Sequence, residues 1–243
     1  KMILERDKEG WQIALHAIGD RANRMALDGF KKAFQGRKFE KIGDKMLPVT
    51  ESLDILDSSK TKYSKGFILY EPRHRIEHAQ VVNPSDFKRF AELGIIASMQ
   101  PTHAISDKRW AESRLGEYRV LGAYSWHLMR SYNVHVPCGT DFPVESINPY
   151  QTLYAAVSRQ DTDGQPLGGW QPQERLSMAE AIRCHTFESA FAEFAETEKG
   201  TIAAGMLADL VVHSKDLLTI PHREILTTEP VYTIFNGRVV YQK

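Results

Sequence analysis

The chain has 243 residues, a length that accommodates one complete (β/α)8 barrel or a smaller domain with an appendage. Lysine plus arginine and aspartate plus glutamate each number 31, so charge gives no reason to expect nucleic acid or a membrane as partner, and a small-molecule substrate fits better. There is no apolar stretch of about 18 residues and no secretory signal, so we expect a cytoplasmic protein. Two cysteines without a paired spacing agree with that expectation.

The first predicted unit is a strand followed by a helix. The apolar run Gln12 to Ile18 is short and ends at Gly19-Asp20, which is typical of a strand. From Ala22 to Phe34, apolar residues recur at i, i+3 and i+4 spacing, which predicts a helix with one buried face. The polar stretch over residues 36–70 offers too little periodic apolar surface for a core, so we predict a long insertion or surface loop there.

Two further strand-helix units follow this stretch. Arg75 to Gln80 is predicted as a strand, and Asn83-Pro84 then combines an N-cap residue with proline at the first helical position. Gly94 is placed to end that helix. The third predicted strand is Ile95 to Gln100, which Pro101 stops, and a helix is expected to lead from there towards the fourth unit.

The fourth predicted strand is Val134 to Thr140. Helices are predicted at Pro149 to Arg159 and at Met178 to Ala195, and Ser177 with Glu180 forms a capping box before the second. The sequence thus predicts four consecutive βα units, which is half of a TIM-type barrel in an α/β fold.

From Gly200 onward the pattern changes to strands alone. Ala208 to His213 is predicted as one strand, and Val231 to Phe235 and Arg238 to Tyr241 flank Asn236-Gly237. That dipeptide favours a two-residue type I′ hairpin. We therefore expect a small β element after the half-barrel.

Three polar residues stand at the ends of predicted strands: His16, His78 and Asp141. In a parallel barrel the carboxyl ends of all strands open on one face, so residues far apart in sequence converge there. Any one of them alone is more often a structural, hydrogen-bonded group or a turn residue. Two strand-end histidines followed by a strand-end aspartate form a much rarer pattern, and it favours a metal site.

Zn²⁺ binds imidazole nitrogen and carboxylate oxygen at about 2.0 to 2.2 Å. Bound water then falls in pKa from about 16 towards 7, which supplies hydroxide at neutral pH. A carboxylate at such a site both contacts the ion and takes the proton from that water. Asp141 follows a predicted strand directly and is therefore our candidate general base as well as a metal ligand.

Five ordered segments resemble one known family. They are HAIGDRAN, RIEHAQ, SMQPTH, GTDFPVESINP and the tail KGTIAAGMLADLVV with NGRVVY, and together they resemble the YtcJ-like, or amidohydrolase-3, group of the amidohydrolase superfamily. The resemblance implies that residues 1–196 are the C-terminal half of a metal-dependent hydrolase barrel, strands 5–8, with the insertion near 36–70. Residues 197–243 would then belong to a β-sandwich.

The same resemblance implies roles for individual residues. His16 would be the metal ligand of barrel strand 5, His78 that of strand 6, and Asp141 the strand 8 ligand and general base. His103 is similar to a position that faces the substrate pocket, although a loop histidine bonded to its own backbone is an equally good interpretation. The implied cofactor is a divalent metal, with Zn²⁺ as the expected ion and one or two ions in the complete enzyme.

The chain departs from the family pattern in what precedes His16. Members carry a His-x-His pair on strand 1 and often a metal-bridging carboxylated lysine on strand 4, and neither region is found in this sequence. We therefore expect a fragment, a truncated product or a chain whose other half is supplied separately. Open barrel edges would invite association, including homo-oligomers.

Three functions are compatible with these observations. The leading hypothesis is a hydrolase of non-peptide C–N bonds, acting on an amide, formamide or cyclic amide through metal-activated water. A catalytically silent fragment with a binding or regulatory role is the second, because the strand 1 ligands are missing. A lactonase or a phosphotriesterase-like esterase is the third, since one metal centre attacks several electrophiles and fold does not fix function.

Overall fold

The computed structural model describes residues 1–35, 38–42, 45–50, 61–64 and 67–243. The helices are, in chain order, α1 (Met2–Lys8), α2 (Asp20–Phe34), α3 (Phe87–Leu93), α4 (Pro101–Arg119), α5 (Trp126–Ser131), α6 (Pro149–Ser158), α7 (Met178–His185) and α8 (Phe187–Ala192). The strands are β1 (Ala14–Ala17), β2 (Lys38–Ile42), β3 (Lys45–Thr50), β4 (Thr61–Ser64), β5 (Phe67–Tyr70), β6 (Arg75–His78), β7 (Ile96–Ser98), β8 (Leu210–His213), β9 (Pro230–Phe235) and β10 (Arg238–Gln242).

The fold is of the mixed α/β type and consists of two compact units. The first unit comprises Lys1–Ser98 and Leu121–Val136, and the second comprises Met99–Val120 and Pro137–Lys243. Neither unit is a continuous piece of chain. Within the described residues, no helix is both long and apolar enough to span a lipid bilayer.

A three-stranded parallel sheet in the order β1-β6-β7 forms the centre of the first unit. The three strands coincide with the first three predicted strands, although each is shorter than its apolar run. Ile76 and Ala97 lie in the core of this unit, and α2 contributes Leu27 and Phe30, all four of them fully buried. The spacing of Leu27 and Phe30 places them on one face of α2, as the sequence pattern predicts.

The second βα unit has the predicted start signal at Asn83-Pro84 and the predicted end at Gly94, but a 3-10 turn over Pro84–Asp86 precedes α3. The Asn83 side chain accepts a hydrogen bond from the Ser85 amide, with proline next in sequence. At the other end Gly94 has φ 62, a left-handed conformation in which glycine is favoured. Both predictions are confirmed, because these signals depend on a few neighbouring residues.

The predicted insertion contains a four-stranded antiparallel sheet in the order β2-β3-β5-β4. It is therefore more than a loop, and the apolar run of β5, FILY, is the sequence signal that could have indicated strands. Residues 36–37, 43–44, 51–60 and 65–66 of the predicted insertion lie outside the described residues.

The prediction of a regular strand from Val134 to Thr140 was wrong. Only an isolated parallel bridge between Met99 and Cys138 forms in the second unit, where the Met99 amide donates to the Pro137 carbonyl. Pro137 lies in the middle of this segment and has no amide hydrogen, so it cannot donate a hydrogen bond to a neighbouring strand. The Cys138 amide donates instead to the carbonyl of Cys184, at 3.1 Å, so the segment divides its hydrogen bonds between two neighbours.

Residues Met178 to Ala195 were predicted as one helix, and this was wrong. The chain forms α7 and α8, which are separated at Thr186 with φ −118 and ψ −89. The Thr186 hydroxyl donates to the carbonyl of Ile182, and such side-chain bonds compete with helical ones. The capping box of Ser177 and Glu180 at the start of α7 is confirmed.

The terminal antiparallel sheet has the order β10-β9-β8. Asn236 and Gly237 have φ 48 and 74, which confirms the predicted hairpin, because a type I′ turn needs positive φ at both central residues. The His213 ring of β8 is hydrogen-bonded to the Tyr150 hydroxyl of α6 at 2.8 Å. Over the described residues the strands of the protein do not close into a barrel.

Gly122 makes a close backbone approach in the first unit. The Val82 amide donates to the Gly122 carbonyl at 2.8 Å, and a Cβ at residue 122 would lie 1.8 Å from the Val82 carbonyl oxygen. Gly122→Ala should therefore lower the free energy of unfolding by about 1–3 kcal/mol, the usual range for a forced overlap. Urea denaturation measures this, with Gly139→Ala as control because nothing lies within 4 Å of its Cβ position. Equal effects of the two substitutions would contradict the prediction.

His185 at the end of α7 makes stability depend on pH. Burial lowers the pKa of its imidazole from 6.5 to about 4, and its buried Nε2 has no hydrogen-bond partner among the described residues. The unfolded chain therefore binds more protons than the folded chain between these two pH values. The contribution of the neutral His185 side chain to the free energy of unfolding is complete above about pH 6.5 and is lost as the pH falls towards 4. In urea denaturation across that range, His185→Leu should flatten the pH dependence, whereas the exposed-site control His127→Leu should not. Parallel curves for wild type and His185→Leu would refute the assignment.

Candidate metal site

The two strand-end histidines of the first unit lie side by side. His16 is the third residue of β1, and His78 is the last residue of β6. Parallel pairing of these strands sets Ala17 opposite His78, so both imidazoles are at the carboxyl end of the sheet. Their ring centroids are 4.5 Å apart, with an angle of 77° between the ring planes.

Backbone conformation at the end of β6 explains how the rings meet. His16 pairs with Glu77, so regular alternation of side chains would turn His16 and His78 to opposite faces of the sheet. His78 instead has φ 72 and the following Ala79 has φ 42. These left-handed conformations are uncommon for residues with a side chain, and they end the alternation at the residue whose ring meets His16.

The surroundings of the two rings differ. His16 is exposed, whereas His78 is buried. The carboxylate nearest to them in register, that of Glu77, accepts a hydrogen bond from Nε of Arg75 at 2.5 Å. Its charge is therefore balanced by a guanidinium, and the imidazoles are the metal-binding groups that this part of the first unit offers.

The second unit brings together His103 and Asp141. His103 lies in the first turn of α4, which starts with proline at its first position, and its side chain is buried. Nε2 of His103 is 3.7 Å from Oδ2 of Asp141, whose side chain is 38% exposed. The two groups are close together, but 3.7 Å is longer than a hydrogen bond.

A tight turn follows Asp141. Asp141 has φ 58, its carbonyl accepts from the Val144 amide at 2.8 Å, and the Phe142 amide is bonded to the Thr140 hydroxyl at 3.2 Å. Three residues beyond Phe142, the Glu145 carboxylate accepts a hydrogen bond of 2.6 Å from Ser106 of α4. The loop that bears Asp141 is thus tied to the helix that bears His103.

The structure places each predicted site residue beside another one of its own unit. His16 and His78 are together in the first unit, and Asp141 has His103 beside it in the second. His103 had been expected either to face substrate or to bond its own backbone in a loop, and it lies in a helix. The roles assigned to these four residues stay predictions.

Sequence reasoning missed a buried pair that supports the same strands. His74 immediately precedes β6, and its Nε2 lies 3.0 Å from Oδ1 of Asp7 in α1, with both side chains fully buried. Nδ1 of His74 accepts a hydrogen bond from the Ile13 amide, so the ring proton is on Nε2 and is donated to Asp7. The rings of Phe30 and Phe34 stack on the imidazole. The only sequence signal was a histidine directly before an apolar strand.

Removal of the His74 ring should destabilise the protein strongly. His74→Ala removes the hydrogen bond that the neutral imidazole donates to the buried Asp7 carboxylate, and the loss of a buried hydrogen bond to a charged group costs about 1.5–3 kcal/mol. Urea denaturation of His74→Ala, Asp7→Asn and the double variant gives the coupling between the two side chains. We expect the two single losses to be clearly non-additive. Additive losses below about 1 kcal/mol would show that the pair has little importance for the fold.

Two solved structures with a similar fold are uncharacterized metal-dependent hydrolases. An uncharacterized metal-dependent hydrolase from Pyrococcus furiosus superposes with a TM-score of 0.65 at 29% identity, over 89% of this chain and 37% of that one. The chain therefore shares the α/β fold of a metal-dependent hydrolase.

The chain belongs to the amidohydrolase family, whose model matches residues 1–241. It is 32% identical to Protein LONG AFTER FAR-RED 3 of Arabidopsis thaliana over 209 residues, and these residues are 86% of this chain and 30% of that protein. The putative amidohydrolase YtcJ of Bacillus subtilis is 28% identical over 243 residues, which is 100% of this chain and 40% of that protein. An N-substituted formamide deformylase of Arthrobacter pascens is 28% identical over 173 residues, 70% of this chain and 31% of that protein. The chain therefore spans less than half the length of these curated relatives.

Proposed function

We propose that this chain contributes ligands and a general base to the metal centre of a hydrolase that cleaves C–N bonds other than peptide bonds. In this proposal β1, β6 and β7 are strands of a (β/α)8 barrel, residues 1–196 form its C-terminal half, and residues 197–243 belong to a β-sandwich. The metal ligands are His16, His78 and Asp141. Family membership and the similarity to a metal-dependent hydrolase support the reaction class.

The observation that carries the proposal is the pair of imidazoles at the carboxyl ends of β1 and β6. Two nitrogens bound to one tetrahedral ion lie about 3.3 Å apart, given Zn–N bonds of about 2.0–2.1 Å. Ring centroids 4.5 Å apart are compatible with that arrangement after small rotations of the side chains. Imidazole is also the neutral ligand that suits zinc and similar transition metals.

Asp141 contributes the carboxylate. It belongs to the second unit, and its inclusion in one centre with His16 and His78 is supported by the order of the family motifs around these residues. Its partial exposure leaves an oxygen accessible to solvent, as a group that receives a proton requires. His103, 3.7 Å away, is suited to hold this carboxylate in place and to bind a polar group of the substrate.

A divalent ion held by these residues would supply Lewis acidity, which polarises a carbonyl and activates water at neutral pH. The chain's own contribution is to orient and to transfer protons. Asp141 takes the proton of the attacking water and delivers it to the leaving nitrogen, which departs as an amine. An amine is a poor leaving group unless it is protonated, so a proton carrier at this position favours amide substrates.

A formamide or a cyclic amide is the substrate class that we favour. The N-substituted formamide deformylase among the relatives is named for cleavage of such a C–N bond. The chain has equal numbers of acidic and basic residues, which suits a substrate of little charge.

The test uses the protein reconstituted with Zn²⁺. Asp141→Asn should lower kcat at least about 100-fold on N-substituted formamides, because it removes the proton acceptor, while circular dichroism shows a retained fold. Asp209→Asn is the matched control: its Oδ1 accepts from the Asn236 amide, and an asparagine oxygen can accept the same bond.

A panel of formamides, cyclic amides, lactones and phosphotriesters defines the bond that is cleaved. Higher kcat/KM on lactones or phosphotriesters would replace the C–N assignment with an esterase. Elemental analysis that finds no metal bound to the purified protein, together with no turnover on any member of the panel, would favour the catalytically silent alternative. Full activity of Asp141→Asn would overturn the role of that residue.

A further inference from the structure

Asn23 in the first turns of α2 connects the backbone segments that follow the two histidines. Its side chain is completely buried. We propose that Asn23 is a positioning residue, which sets the separation of His16 and His78 through the carbonyl groups that its amide binds. This inference rests on the proposed function, since it concerns the geometry of the same metal ligands.

The side-chain nitrogen of Asn23 is surrounded by main-chain carbonyl oxygens. Nδ2 lies 3.0 Å from the oxygens of Gly19 and Val81, 3.2 Å from that of Ala17 and 3.4 Å from that of Ile18. Every one of these partners is an acceptor, so only the amino group of the amide fits at this position. One side chain thereby binds both the segment that follows His16 and the segment that follows His78.

The bond from Asn23 to the Val81 carbonyl links α2, which follows β1, to the segment that follows β6. A main-chain bond runs beside it, from the Val81 amide to the Ile18 carbonyl at 2.8 Å. His78, the last residue of β6, and Ala79, which follows it, have φ 72 and 42. Left-handed conformations at residues with side chains persist only where the surrounding structure holds them, and the bonds at Val81 provide part of that hold.

The position of His16 depends on the same amide. Ala17 directly follows His16 and accepts from Asn23, and Gly19 accepts from both the main-chain and the side-chain nitrogen of Asn23. The separation of the two rings is therefore set by a group that contacts neither ring. A replacement that cannot donate would release both segments at once, and aspartate would also place a negative charge against the carbonyl oxygens.

The experiment compares Asn23→Asp with Asn83→Asp in the protein that is used for the activity test, with Co²⁺ as the probe. Asn83 is an N-cap whose oxygen accepts from the Ser85 amide, so aspartate preserves that bond, and the substitution is chemically identical. We expect Asn23→Asp to raise the Kd for Co²⁺ at least 10-fold and to change the d–d absorption bands. It should also shift the ¹⁵N resonances of the His16 and His78 rings in metal-free protein. Asn83→Asp should change none of these.

Asn23→Ser covers the case in which Asn23→Asp does not fold. A serine hydroxyl is too short to reach the Val81 carbonyl, so the ring resonances should still shift and Co²⁺ should still bind at least 10-fold more weakly. A merely structural role would lower the urea midpoint but leave the Co²⁺ spectrum and affinity of the folded protein unchanged, and that result overturns the inference. If wild type binds Co²⁺ and the His16→Ala/His78→Ala variant binds it equally well, the proposed metal ligands fail, and the inference fails with them.

Discussion

The parallel pairing of β1 with β6 is the interaction on which the proposed site depends. The Arg75 amide donates to the Ile13 carbonyl at 2.9 Å, and the register continues to Ala17 opposite His78. A shift of one residue would move His16 to the other face, because side chains alternate along a strand. Before the paired strands the Ile13 amide donates to Nδ1 of His74, and at their far end Asn23 donates to the carbonyls of Ala17 and Val81.

Features encoded by short stretches of sequence were predicted well. The apolar runs predicted β1, β6 and β7, and the capping box predicted the start of α7. The Asn236-Gly237 dipeptide predicted the hairpin, and the structure contains all of these features. Family membership followed from the ordered motifs and is confirmed over residues 1–241. Each of these signals involves neighbours in sequence, where propensity and hydrogen-bond geometry decide the conformation.

The structural features that could not be predicted from the sequence depend on contacts between residues that are far apart along the chain. The Cys138 amide binds the Cys184 carbonyl instead of continuing a ladder, and no local pattern around residue 138 announces that partner. The left-handed backbone at His78 lies three residues before Val81, whose amide and carbonyl are bonded to Ile18 and Asn23. The pairing of His103 with Asp141 is of the same kind, because a helix start and a turn after a bridge meet only in the folded second unit. Tertiary contacts decided each case, and they override local propensity.

The division of the protein into two units has a consequence for how it can be dissected. The chain passes between the units at Ser98–Met99, at Val120–Leu121 and at Val136–Pro137. Neither unit therefore corresponds to a single stretch of the gene, and expression of any one uninterrupted segment would either omit part of a unit or include part of the other. Co-expression of the two segments of one unit, which would then associate, is the route by which that unit could be obtained separately.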